Sequence, residues 1–94
     1  MTSISMTNFL TASPTSLIDV RESHEYANGH VPGAINLPLS QLGQTYTELD
    51  KTQTHYIICQ SGGRSAQAVQ FLLQQGYQAI NVEGGTAAYP LGLD

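Results

Sequence analysis

The chain has 94 residues, three Lys and Arg against seven Asp and Glu, a formal net charge of −4, nine Gly, four Pro, one Cys and no Trp. Three cations (Arg21, Lys51 and Arg64) cannot build a basic patch, which excludes nucleic acid and anionic membrane as partners. One cysteine forms no internal disulfide and no apolar run reaches membrane-spanning length, so a disulfide-stapled or membrane-embedded class is excluded as well.

Length and a hydrophobic content of 40% fit one domain over residues 1–94. Such a chain buries roughly two-thirds of its unfolded surface, enough for one core without cross-links. Residues 1–6 carry no basic side chain and no long apolar stretch, unlike a signal peptide. The expectation is a soluble protein of a reducing compartment, the cytoplasm.

In chain order, a weak strand is expected over 4–6 and a helical turn or more over 8–12, closed by Ser13-Pro14. Leu17-Ile18-Asp19-Val20 reads as a short buried strand. A short helix over 22–27 stops at Asn28-Gly29 in the manner of a left-handed cap. Ala34-Ile35-Asn36-Leu37 is a strand entered through Pro32-Gly33 and left through Pro38. Ser40 caps a helix through Leu42, and a further turn covers 46–49. Tyr56-Ile57-Ile58 is the expected central strand. A helix over 65–75 follows, with apolar Ala66, Ala68, Val69, Phe71, Leu72 and Leu73 forming a broad stripe, ended by Gly76. Ala79-Ile80-Asn81-Val82 is a strand, Gly84-Gly85 breaks it, and a last helix covers 86–89. Strands joined through helices imply an α/β fold with a mostly parallel central sheet flanked by helices on both faces. His24, His55 and Glu83 read as solvated surface residues.

The chemistry concentrates at the end of the expected central strand, where the chain reads Cys59-Gln60-Ser61-Gly62-Gly63-Arg64-Ser65. Ligands of open parallel sheets bind outside the carboxyl ends of the strands. Gly62 and Gly63 permit a tight turn in which successive N–H groups converge on one anion. A helix dipole alone supplies about 0.3–1 kcal/mol, up to ~2 when partly buried. One pKa unit corresponds to about 1.4 kcal/mol, so the dipole moves a thiol by roughly a unit or less. Direct N–H hydrogen bonds to sulfur must supply the rest. Two bland readings stand beside this one: Cys59 as a small apolar residue at a strand end, and Arg64 as a surface residue of a helix N-terminus.

Two separated blocks then resemble the single-domain rhodaneses, the sulfurtransferase homology domain. One is Asp19-Val20-Arg21-Glu22 with Glu25-Tyr26 and the run from Gly29-His30-Val31-Pro32-Gly33-Ala34 to Pro38. The other is the Cys59 loop with Arg64-Ser65, then Gly76-Tyr77, Val82, Gly84 and Gly85. The resemblance implies the rhodanese-like fold and sulfur transfer by covalent catalysis. Cys59 would attack the outer sulfur of a small anionic donor such as thiosulfate and become a persulfide. A thiol or cyanide acceptor would then remove that sulfur. Amides from Gln60, Ser61, Gly62, Gly63 and Ser65 would hold the anionic persulfide and the departing sulfite, and Arg64 would orient the donor. Asp19 and Arg21 would support the loop, as a buried network or as a surface pair. His30 would be a structural hydrogen-bonding residue rather than a general base. No metal and no cofactor are implied, and a sulfur-carrier or desulfurase protein is a candidate partner. Many relatives carry a tryptophan after Gly84-Gly85; Tyr89 stands nearby here.

Two other functions compete. Phosphatases and arsenate reductases of related shape use a loop one residue longer, C-x5-R; the C-x4-R spacing from Cys59 to Arg64 gives a smaller cradle, and the loop has no Asp to act as general acid. A non-enzymatic module that binds a partner or regulates it is the other; inactive members often lose the cysteine that this chain keeps.

Overall fold

Among the described residues, alternating apolar runs and helical segments produce five short strands: β1 (Ser3–Ile4), β2 (Leu17–Asp19), β3 (Ile35–Asn36), β4 (Thr54–Ile58) and β5 (Gln78–Val82). All pairings are parallel, in the order β1-β5-β4-β2-β3. The computed structural model describes residues 2–94; Met1, the first residue of the N-terminal stretch discussed above, lies outside them. Helices α1 (Met6–Ala12), α2 (Ser23–Ala27), α3 (Leu42–Thr45), α4 (Gly63–Gln74) and α5 (Gly85–Ala88) connect the strands or follow them. Among the described residues no helix is long and apolar enough to cross a membrane.

The period-2 alternation of the strands divides the core between the two faces. Ile18, Val20, Ile57, Cys59 and Ala79 pack with Leu42 of α3 and with Ala68, Val69 and Leu72 of α4. Leu17, Ile58 and Val82 point the other way, against Phe9 of α1, Val31 and Ala34. The register sets Ile18 beside Ile57 and Tyr56 beside Ile80, so β4 is covered on both sides. Ile57 and Ile58 are each fully buried, and each stabilises the fold by about 1.5–3 kcal/mol.

Local chemistry moved several element boundaries. Ser5 accepts a hydrogen bond from the Asn8 N–H and starts α1 at Met6, which leaves β1 only two residues. The Glu22–Glu25 capping box starts α2 at Ser23; Asn28 stays right-handed and Gly29 takes the positive φ of +143°. Ser40 does not cap a helix. Pro38 leads into a 3-10 turn, Leu39–Gln41, that runs into α3, and the Ser40 hydroxyl donates to Glu22 instead at 2.7 Å. A second 3-10 turn covers Tyr46–Glu48.

His55 corrects a surface expectation: it is 2% exposed. Its Nε2 donates to the Asp50 carbonyl at 2.8 Å, which leaves Nδ1 to accept from the Ser16 hydroxyl at 2.6 Å. Both ring nitrogens are satisfied, so burial carries no unpaired polar group. His24 and Glu83 are exposed as expected.

Parallel strands bring all carboxyl ends to one edge. Cys59 follows β4, Arg21 lies just past β2, and Gly84-Gly85 follow β5. That shared edge carries the site.

Candidate active site

Cys59 is the first residue past β4 and is 1% exposed. The turn that follows is shaped from behind. The Thr86 N–H and hydroxyl donate to the Cys59 carbonyl at 2.8 and 3.1 Å, and the Ala87 N–H donates to the Gln60 carbonyl at 3.0 Å. With these two carbonyls turned to α5, the loop presents N–H groups to the sulfur. The Gly62 N–H donates to Sγ at 3.1 Å. Gly62 takes φ +110°, and Gly63 opens α4, two residues ahead of the expected start at Ser65.

Ser65 is fully buried and its hydroxyl lies 3.2 Å from Cys59 Sγ. That hydroxyl has one proton and three acceptors around it: Sγ, the Gly62 carbonyl at 3.2 Å and Asn81 Oδ1 at 2.5 Å. Burial pushes the Cys59 thiol up. The Ser65 hydroxyl and the amides of Ser65, Gly62 and Ser61 pull it down by more, and the net pKa lies below the ordinary thiol value. Cys59 is therefore poised to ionise, which its apolar reading does not explain. Replacing Ser65 by alanine removes the largest lowering cause. The midpoint of the pH profile for Cys59 alkylation should then move upward and alkylation at neutral pH should slow. An unmoved midpoint would rule out the hydroxyl as the activating group.

Arg64 stands in the first turn of α4 with its side chain 37% exposed, within Coulombic reach of the thiolate. Its guanidinium does not stand free to meet a donor: Nη1 and Nη2 donate to the two carboxylate oxygens of Glu25 at 2.7 and 2.9 Å. The Arg64 hydrogen bonds hold the Glu25 carboxyl down at about 2, against a smaller opposing push from burial. Glu25 Oε1 also accepts from the Glu22 N–H at 3.1 Å.

Asp19 and Arg21 form the buried network of the two arrangements considered, not a surface pair; Asp19 is 0% and Arg21 4% exposed. Arg21 donates through Nε and Nη2 to Asp19, through Nη2 to the Gly29 carbonyl at 2.7 Å, and through Nη1 to Gln60 Oε1 at 3.3 Å. The last bond ties the pair to the loop. His30 sits apart: its Nδ1 donates to the Tyr26 carbonyl at 2.9 Å and its ring stacks on Tyr26 at 3.8 Å. Among the described residues no hydrogen bond joins it to the loop.

Sequence reading missed Asn81 and the Glu25–Arg64 partnership. Asn81 did carry a signal, as a polar residue inside an apolar strand and on the same face as Ala79. A pairing across 39 positions carried none. A cavity of about 220 Å³ lies among Phe9, Leu17, Val31, Tyr89 and Leu91 and takes in no residue of the loop.

The chain is similar to known proteins along most of its length. The rhodanese-like domain model matches residues 5–90. YtwF of Bacillus subtilis is 40% identical over 73 residues, 78% of this chain and 71% of that protein. A sulfurtransferase of Allochromatium vinosum is 39% identical over 74 residues, 78% of this chain and 69% of that protein. The crystal structure of SSP1007 from Staphylococcus saprophyticus superposes with a TM-score of 0.90 at 41% identity, covering 100% of this chain and 99% of that one. With a matched segment that runs nearly from end to end and includes the Cys59 loop, this chain belongs to the rhodanese-like domain family.

Proposed function

We propose that the protein is a sulfurtransferase that carries a sulfane sulfur on Cys59 as a persulfide. The observation that supports this most is the sulfur itself, held between the Gly62 N–H at 3.1 Å and the Ser65 hydroxyl at 3.2 Å, with its pKa below the ordinary value. The thiolate attacks the outer sulfur of a sulfane donor, of which thiosulfate is the simplest. The new bond is Cys59 S–S; the bond to the sulfonate sulfur breaks, and its electron pair leaves with sulfite. A thiol or cyanide then attacks the outer sulfur and returns the Cys59 thiolate. The loop amides stabilise the charge that passes through these steps, as an oxyanion hole does. Attack by the thiolate form needs no further proton removal, and the Gly62 N–H and Ser65 hydroxyl at Sγ favour that form. A lone cysteine must pass its sulfur to an external acceptor, a small thiol or a sulfur-carrier protein. A desulfurase protein could equally supply the sulfur, and a reducing compartment such as the cytoplasm would keep the thiol ready.

Intact-mass analysis after incubation with thiosulfate tests this. The native protein should gain the mass of one sulfur atom and lose it in a cyanide chase, and Cys59→Ala should gain none. A native protein that never takes up sulfur would favour a non-enzymatic binding module. Turnover of an aryl phosphate dependent on Cys59 would instead favour a phosphatase.

A further inference from the structure

The charges around the loop bear on which sulfur donors it accepts. Arg64 is the cation at the mouth, and Glu25 already takes both of its terminal nitrogens. The other cationic side chains do not compensate. Arg21 is buried against Asp19 at 2.8 Å. Lys51 precedes β4, with its ammonium 5.4 Å from the Tyr77 ring centre. It stands at the opposite end of that five-residue strand from Cys59, about 17 Å away at ~3.3 Å per residue. Glu22 adds a further carboxylate within Coulombic reach of Arg64. Two cations therefore face three carboxylates, those of Asp19, Glu22 and Glu25, before the thiolate adds its own charge.

A net negative mouth repels a dianion more than a monoanion of similar shape, because the repulsion scales with the ligand's charge. We propose, resting on the sulfur-transfer reading above, that Glu25 is a specificity-determining residue. By clamping Arg64 it suits the loop to small sulfane donors with one negative charge, the thiosulfonates RSO2S− and hydropersulfides RSS−, over the thiosulfate dianion. Thiosulfate still loads Cys59, at higher concentration.

Glu25 is also part of the capping box of α2, so a variant that merely loosens α2 must be told apart from one that changes specificity. Donor charge does this. Thiosulfate and methanethiosulfonate, CH3SO2S−, transfer the same sulfane sulfur by the same bond exchange. In each case the Cys59 thiolate bonds to the outer sulfur and the S–S bond of the donor breaks. The electron pair leaves with sulfite from the first and with methanesulfinate from the second.

The experiment measures kcat/KM for both donors with cyanide as acceptor. In Glu25→Gln the thiosulfate-to-methanethiosulfonate ratio should rise about threefold to tenfold, chiefly through the KM for thiosulfate. Glu25→Asp, which keeps the charge, should hold the native ratio. In the native protein, added salt should raise the ratio by screening the extra repulsion felt by the dianion. This last arm needs no variant and stands if Glu25→Gln fails to fold. Both donors changing alike in Glu25→Gln, or a native ratio that salt leaves flat or lowers, would overturn the assignment while leaving sulfur transfer in place. No sulfur taken from either donor by the native protein would overturn the sulfur-transfer reading itself.

Discussion

Asp19→Ala should cost about 3–5 kcal/mol of folding stability, a large share of the roughly 5–14 kcal/mol expected for a chain of this length. The substitution leaves the Arg21 guanidinium buried with its charge uncompensated. Asp19 accepts from the Arg21 backbone N–H at 2.9 Å, from Nε and from Nη2, so one carboxylate satisfies three donors in a site closed to water. Removing the pair together is a different matter, because desolvation of two charges offsets much of their attraction. A double change, Asp19→Leu with Arg21→Met, should therefore recover a good part of the loss. Urea unfolding of the three proteins checks this. A single mutant within about 1 kcal/mol of native, or a double mutant worse than the single, would show that the buried charge is not what the carboxylate neutralises. The double mutant should still be slower in sulfur transfer, since it loses the bond from Arg21 Nη1 to Gln60 that ties the loop to β2.

The order of the core strands and helices was legible because Leu17-Ile18, Tyr56-Ile57-Ile58 and Ala79-Ile80 are short apolar runs separated by helical segments, and α4 shows its stripe over twelve residues. Boundaries were less so. Ser40 looked like a cap, yet its hydroxyl serves Glu22, and the helical turn it was expected to open begins after Pro38 through backbone geometry alone. His55 looked solvated because imidazole at a strand start usually is. Only tertiary contacts with Ser16 and Asp50, 39 and 5 positions away, supply the two partners that let it be buried.

At the site, the thiol's environment was legible from the C-x4-R loop and the helix after it, since glycines, a strand end and a helix start together constrain where the amides point. What stayed hidden were the side chains that complete it from elsewhere. Asn81 reaches Ser65 from β5, and Glu25 reaches Arg64 from α2. Neither distance in space can be read from spacing in the chain. The Glu25 clamp also changes the meaning of Arg64. Arg64, expected from the resemblance to orient the donor, is paired through both terminal nitrogens with Glu25 at 2.7 and 2.9 Å.

Gly85→Ala should be the most damaging single change to the nucleophile outside the loop itself. Gly85 has φ +62°, and an added Cβ would lie 2.6 Å from the Gln60 carbonyl oxygen and closer still to that of Cys59. A left-handed conformation costs a residue with Cβ roughly 1–2 kcal/mol. Overpacking against fixed backbone typically adds 1–3 kcal/mol, so a total loss of about 2–5 kcal/mol is expected. The consequence for chemistry follows from which atoms must move. Relief of the clash separates α5 from the loop and lengthens the bonds from Thr86 and Ala87 to those two carbonyls. The carbonyls then lose the partners that hold them away from the sulfur, and the Gly62 amide loses its aim at Sγ. Cys59 should alkylate with a higher midpoint pH and load more slowly from thiosulfate. Gly33→Ala is the matched control: Gly33 has φ +88° with nothing within 4 Å of an added Cβ. It should lose only the backbone cost, about 1–2 kcal/mol, and keep the native alkylation profile. Equal effects of the two substitutions on that profile would mean that α5 does not shape the loop.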